Sequence, residues 1–530
     1  MTAFNKIKIF ALLASSVFVA NGCTKDFKEL NTNPALLSEE IVTPEFLLSG
    51  VQYGIGAGLG ASDAGNYAGM SVRVDNAPFV DRFDDAAWNA AYTSYGNNLA
   101  AIIRKTQDDP ELVNKKSIAR ILKVWVFAQA TDIYGDIPYF EANKAPDEAI
   151  SSPVYDTQKS IYEDFFKELK EAAAALDATK ASFGNADLYY GGNVTKWKKF
   201  ANSLRLRLAL RVRYADEQLA KTNMSDLQES DLIISSADNT SIFTTNDIEA
   251  HRNGLYNGIA NSPDQNARID YVDHQLVGKA MLDALVGTSA PTNPLDPRTK
   301  VIADTAILNG ATINPPQPLF GFRAQPLLGN VPVENKYPYG SGSVSHFSLF
   351  WYVPVIENSL IKSSEVYFAL AEAALFNLRT GDADPYYKKG IEASVGEIKD
   401  LYENGKGQMP ALLELVYGSS FDVDGFLSYK EITQDQIDAF LASPVTTLTG
   451  TDEQKLEQII YQKIIALYPN ELEGWSEWRR TGYPRVLVAA NEQSFLHGVS
   501  LRRQHYPNKE MQIPETLLQR PGEHSGNHHA

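Results

Sequence analysis

The chain has 530 residues, 65 acidic against 48 basic side chains, a net charge of −17 and 44% hydrophobic residues. That content supports a large core rather than a disordered chain, and so acidic a surface repels phosphate, which disfavours nucleic-acid binding and electrostatic docking on anionic lipid. One cysteine, Cys23, leaves no internal disulfide to form.

In chain order, Lys6 and Lys8 open a short basic start, Ile9 to Ala20 is apolar, and Gly22 precedes Cys23. This is the layout of a secretory signal, and its apolar part falls short of the roughly 20 residues that span a bilayer. A cysteine at that junction resembles a bacterial lipobox, although Ala20 stands where a bulky aliphatic is usual. Cys23 is therefore expected to carry acyl chains, each buried methylene adding about 0.8 kcal/mol of membrane affinity. The alternative is an ordinary cleaved signal with an incidental thiol.

Helical periodicity follows. "TPEFLLSGVQYGIG" starts with Thr43 as N-cap and Pro44 in the first turn. Trp88 opens "WNAAYTSYGNNLAAII", read as one helix with Trp88 in the core. Apolar stripes at three- and four-residue steps join Ile118, Leu122, Trp125 and Ala128; then Ile161, Phe165, Leu169, Ala172 and Leu176; then Trp197, Phe200, Leu204 and Leu208. Thr451 and Gln454 have capping-box spacing ahead of a helix stopped by Pro469. Ten of the 26 prolines lie between Pro291 and Pro354, so that stretch is expected to be irregular or short-stranded. After it, "KSSEVYFALAEAALFNLRTGDADPYYKKGIEASV" is similar to a tetratricopeptide helix pair.

Five stretches carry a wider resemblance: "TDIYGDIPYFEA" (131–142), "KWKKFANSLRLRLALRVR" (196–213), "DPRT" (296–299), "EGWSEWRRTGYPRV" (473–486) and "RRQHYPNKEMQ" (502–512). In this order behind a lipobox cysteine they resemble the SusD/RagB family of nutrient-binding outer-membrane lipoproteins, in its second SusD-like branch. The resemblance implies a mostly α fold, with a tetratricopeptide-like helix-pair scaffold and a loop-rich, irregular ligand-binding part. It also implies a cell-surface, lipid-anchored location, an oligosaccharide or other nutrient as ligand, and a SusC-like TonB-dependent barrel transporter as partner. The organisation expected is a signal over 1–22, a tether over 23–43, one domain over 44–519 with a loop-rich insertion at about 251–354, and a tail over 520–530.

Physically, most of these motifs read as packing. Trp475 and Trp478 lie one helical turn apart, with Arg479 and Arg480 at the helix end and Gly482 and Pro484 closing it; core placement is expected over sugar stacking. Asp132 and Asp136 are expected to cap backbone amides. Arg205, Arg207, Arg211 and Arg213 are expected to pair with carboxylates rather than with an anionic ligand.

Sugar recognition needs aromatic rings against C–H faces and polar side chains for hydroxyls, on loops held by a scaffold. Three stretches offer the mixture: Tyr67, Arg73, Asp75, Asn76, Phe79 and Phe83; Asn253, Tyr256 and Asn257; and Tyr337, Tyr339, Phe347, Trp351 and Tyr352. Each residue has loop packing or transporter contact as its alternative. No P-loop, G-x-S-x-G or H-E-x-x-H motif occurs, "GIGAGLGA" (54–61) lacks the strand before it that a dinucleotide loop needs, and no cofactor or metal site is implied. His524, His528 and His529 sit in the polar tail. A binding lipoprotein that performs no catalysis is the leading reading; a surface glycoside hydrolase, a tetratricopeptide-type adaptor and a peptide ligand stay open.

Overall fold

The computed structural model describes residues 42–58, 64, 68–73, 85–145, 148, 150, 153–273, 275–286, 294–304, 346–485, 502–504, 506, 507 and 510. Within them the protein is mostly helical. The first half holds α1 (Pro44–Gly58), β1 (Ser71–Arg73), α2 (Ala86–Tyr92), α3 (Tyr95–Thr106), α4 (Val113–Tyr134), α5 (Gln158–Ala175), α6 (Val194–Val212) and α7 (Glu217–Met224). The middle holds short pieces: β2 (Thr240–Phe243), α8 (Gly254–Ala260), α9 (Gln265–Asp273), β3 (Gln275–Val277), α10 (Lys279–Val286), α11 (Thr299–Ile302), β4 (Ala303–Asp304), β5 (His346–Phe347) and β6 (Glu357–Ile361). The last part is helical again, with α12 (Ser363–Leu375), α13 (Ala383–Gly405), α14 (Met409–Tyr417), α15 (Val423–Lys430), α16 (Gln434–Leu441), α17 (Asp452–Leu467) and α18 (Glu471–Thr481).

Local chemistry sets where helices begin. Thr43 accepts from the Phe46 amide at the head of α1, and Asn193 accepts from the Thr195 and Lys196 amides at the head of α6. Thr451 and Gln454 form the expected reciprocal capping box of α17. One expectation is corrected: "WNAAYTSYGNNLAAII" is two helices, α2 and α3. The hydroxyls of Thr93 and Ser94 both donate to the Asn89 carbonyl, at 2.8 and 3.0 Å, and so compete with the helical ladder there.

Packing follows the stripes. α3 lies on α4, α4 on α5, α5 on α6, and α6 on α12, which packs in turn against α13 and α17. Every residue of the three apolar stripes is buried, so one hydrophobic layer runs from the first half into the second. α12 and α13 form the helix pair that resembles a tetratricopeptide unit. Its close approach depends on Gly390, where a Cβ would lie 2.7 Å from the Phe368 ring. Among the described residues no helix is long and apolar enough to cross a membrane.

Two small sheets tie the middle to this layer. β2 and β6 pair antiparallel from Phe243 opposite Glu357 to Thr240 opposite Ile361. The other sheet has the order β1-β3-β5-β4, every pair antiparallel.

Candidate ligand-binding surface

The four-stranded sheet joins two of the three candidate stretches. Arg73 closes β1 opposite Gln275 of β3, and His346 of β5 lies opposite Leu276. Asp304 of β4 lies opposite the same His346. β1 and β5 both oppose β3 and therefore run parallel to each other. The chain at Gly278 crosses tightly: its amide donates to the Met70 carbonyl at 2.9 Å, and a Cβ there would lie 2.1 Å from the Gly69 oxygen. Met70 in turn sits on Gly474 of α18, which fixes β1 to the helical layer.

Of the first stretch, Arg73 is placed by its backbone in β1; Tyr67, Asp75, Asn76, Phe79 and Phe83 lie outside the described residues, as do Tyr337, Tyr339 and Cys23. The second and third stretches meet through Asn253. Its amide side chain donates to the Trp351 and Val353 carbonyls at 2.7 and 3.0 Å, its backbone amide donates to the Pro354 carbonyl, and its Oδ1 caps α8 at Leu255. Asn253 is thus a buried staple between chain segments. Trp351 and Tyr352 lie in a 3-10 turn, Leu349–Tyr352, at 4% and 1% exposure. Trp351 meets the Tyr468 ring edge-on at 4.6 Å, Phe347 stacks flat on Tyr468 at 4.2 Å, and Tyr352 packs against Tyr271. These three rings are buried in the core, whereas the sequence offered loop packing or transporter contact as the alternative to ligand contact. Tyr256 and Asn257 on α8 are half-buried. Arg252 lies over the Tyr256 ring at 6.0 Å and Asn257 donates to the Glu249 carbonyl. Tyr468 carried no signal of its own in the sequence beyond ending a helix, yet it is the ring on which Phe347 and Trp351 rest.

Four of the five signature stretches converge on a buried ionic node. Arg211 of α6 pairs with Asp132 of α4 and with Glu473 of α18. Arg207 donates both arms of its guanidinium to Glu365 of α12, at 2.6 and 2.7 Å, and also donates to the Leu360 carbonyl at 2.8 Å. Arg480 binds Glu372 at 2.6 and 2.5 Å, and Lys463 lies 3.0 Å from Glu477. Arg205 reaches Asp226 and Arg213 reaches Glu372. All four arginines expected to pair with carboxylates, three on α6 and Arg213 just past its end, are so paired. The stretch over 502–512 joins through Arg479, which donates to the Asp132 and Arg502 carbonyls, and through Gln504, whose amide donates to the Ile133 carbonyl.

Two details depart from expectation. Asp136 accepts from the Gln158 amide as a cap, but Asp132 takes Arg211 and the Tyr162 hydroxyl instead. A charged partner in a dry site outcompetes a backbone amide. Arg480, expected as an end-of-helix cation, is buried between Glu372 and Glu477. Trp475 is fully buried, with the Arg479 guanidinium 3.8 Å above its ring. Burial raises the Asp132 carboxyl above its ordinary range; at Glu473 burial pulls the same way, but Arg211 and Arg207 outweigh it and hold that carboxyl below its ordinary value. Burial pushes the Arg479 guanidinium down to about 10. In "DPRT", Arg298 folds back on Asp296 and donates to Ser394 of α13 and to Gln462 of α17. The signature stretches are thus the joints of the scaffold, and no group of acidic, histidine or cysteine residues that could hold a metal occurs among the described residues.

Comparison with known proteins agrees with this architecture. A chitin-binding protein of known structure is 29% identical, with a TM-score of 0.68 over 89% of this chain and 94% of its own. A SusD homologue from Bacteroides fragilis is 21% identical, with a TM-score of 0.67 over 90% and 95%. A chitin-binding SusD homologue from Flavobacterium johnsoniae is 23% identical, with a TM-score of 0.62 over 91% and 92%. No curated protein sequence matches the chain. The family model described as "Starch-binding associating with outer membrane" matches residues 66–507, and the chain therefore belongs to the SusD-like family.

Proposed function

We propose that this protein captures oligosaccharide at the cell surface, held there by lipid on Cys23, and passes it unaltered to a SusC-type TonB-dependent barrel. Family membership over residues 66–507 is the observation that carries the reading. The 29% identity to a chitin-binding protein puts oligomers of β-linked N-acetylglucosamine first among ligands. The residues proposed to meet the ligand are Tyr67, Arg73, Asp75, Asn76, Phe79 and Phe83, then Tyr256 and Asn257, and Tyr337 and Tyr339, with the β1-β3-β5-β4 sheet as the element that joins the first and third stretches. Rings there would lie against sugar C–H faces while amides, carboxylates and Arg73 take hydroxyls.

Calorimetric titration of protein starting after Cys23 with chito-oligosaccharides, starch oligosaccharides and peptides tests the reading. Binding of a sugar that is recovered intact supports it. Release of shortened products would make it a hydrolase, and a response to peptides alone would move the ligand class. Labelling cells with a palmitate analogue tests the anchor, since equal label in wild type and Cys23→Ala would sink it.

A further inference from the structure

We propose that the ionic node holds one ordered water molecule as a fixed part of the fold. Between α4, α6 and the start of α18 lies a cavity of ≈20 Å³, bordered by Trp125, Asp132, Arg207, Asn470, Glu473 and Ser476. A single water needs roughly 10–15 Å³ and two to four polar partners, so the cavity fits one water and no saccharide.

Two observations on separate residues point to the same occupant. The Trp125 indole Nε1, on a side chain 4% exposed, is buried and finds no acceptor in the protein. A buried indole N–H is rarely left so. Arg207 and Glu473 face each other with Nη1 and Oε2 3.7 Å apart, too far for a hydrogen bond, although the other guanidinium nitrogens of Arg207 are engaged by Glu365 and the Leu360 carbonyl and the other oxygen of Glu473 by Arg211. A polar gap of that width beside a water-sized space is where a bridging water belongs. The water accepts from Trp125 Nε1 and Arg207 Nη1 and donates to Glu473 Oε2, leaving its second proton for another oxygen of the lining. Charge argues for a neutral occupant: Asp132 and Glu473 are already matched by Arg207 and Arg211. The role is that of a joint, since this molecule bridges α4 through Trp125, α6 through Arg207 and α18 through Glu473.

A crystal structure of the full chain at a resolution that reveals ordered solvent tests the proposal. One isolated peak within hydrogen-bond distance of Trp125 Nε1, Arg207 Nη1 and Glu473 Oε2 is expected. A cavity without density, or Arg207 Nη1 bonded directly to Glu473 Oε2, would overturn it. Trp125→Phe removes the donor along with the pyrrole half of the indole; it should weaken or abolish the peak, with a loss of Tm that includes lost packing. An unchanged peak in that variant would remove Trp125 from the site and refute the coordination proposed.

Discussion

Glu365→Leu removes the carboxylate that holds Arg207 and leaves a buried guanidinium without its two charge-assisted bonds of 2.6 and 2.7 Å. Both side chains are almost fully enclosed, so water cannot replace the carboxylate. Stranding one partner of such a pair costs about 3–5 kcal/mol, whereas replacing both with apolar groups is often close to neutral. Arg207→Met alone should cost a similar amount, because Glu365 and the Leu360 carbonyl are then stranded. The double variant Glu365→Leu/Arg207→Met should recover most of the loss, remaining about 1–2 kcal/mol below wild type for the carbonyl left unpaired. Chemical denaturation followed by tryptophan fluorescence measures this, because Trp125, Trp197 and Trp475 are buried on α4, α6 and α18 around the node. A Glu365→Leu cost below about 1 kcal/mol, or a double variant as unstable as the sum of the singles, would show that the pair is not coupled as described.

Three further outcomes follow from the same geometry. Gly278→Ala should cost upwards of about 2 kcal/mol and weaken oligosaccharide binding, because its Cβ would meet backbone at 2.1 Å and push β1 from β3; unchanged calorimetric affinity would separate the sheet from the site. Gly482→Ala should cost about 1 kcal/mol in thermal unfolding, purely from the left-handed conformation at φ +77, since nothing lies within 4 Å of the added carbon. In acid, Glu473 and Glu477 have carboxyls depressed below 4.5, so the unfolded chain takes up their protons first. Their stabilisation is complete above that value and lost as pH falls below it towards the folded values. Asp132, raised by burial, works in the opposite sense: its cost, present above its folded value, is relieved as pH falls. The two glutamates should prevail, and a Tm that stays constant from about pH 7 to about pH 3 would contradict the sign.

Much of the scaffold was legible because helices are local objects. A stripe at three- and four-residue spacing, a threonine at the N-cap and a glycine past the last turn act within a few residues, and so Ile161 to Leu176, Thr451 with Gln454, and Gly482 read correctly from neighbours alone. The arginines of α6 were legible as ion-pair formers because leucine-flanked cations on a buried helix must be matched. Their partners were not, since Arg211 finds Glu473 across 262 positions and Arg207 finds Glu365 across 158. For the same reason Asp132 was misjudged: its sequence neighbours offer amides, while the fold brings it a guanidinium.

The candidate site divides along this line. Sequence alone determined which residue types are rich enough in rings and amides to meet a sugar, and the family to which their framework belongs. Only the tertiary structure decided that Trp351 and Tyr352 are packed against Tyr468 and Tyr271, that Asn253 staples two of the stretches together, and that strands of two or three residues join β1 and β5, from two different stretches, in one small sheet. Those outcomes rest on pairings between segments up to 206 residues apart, as between Ser71 and Val277, and strand register and ring burial are properties of the meeting, which neither segment encodes by itself.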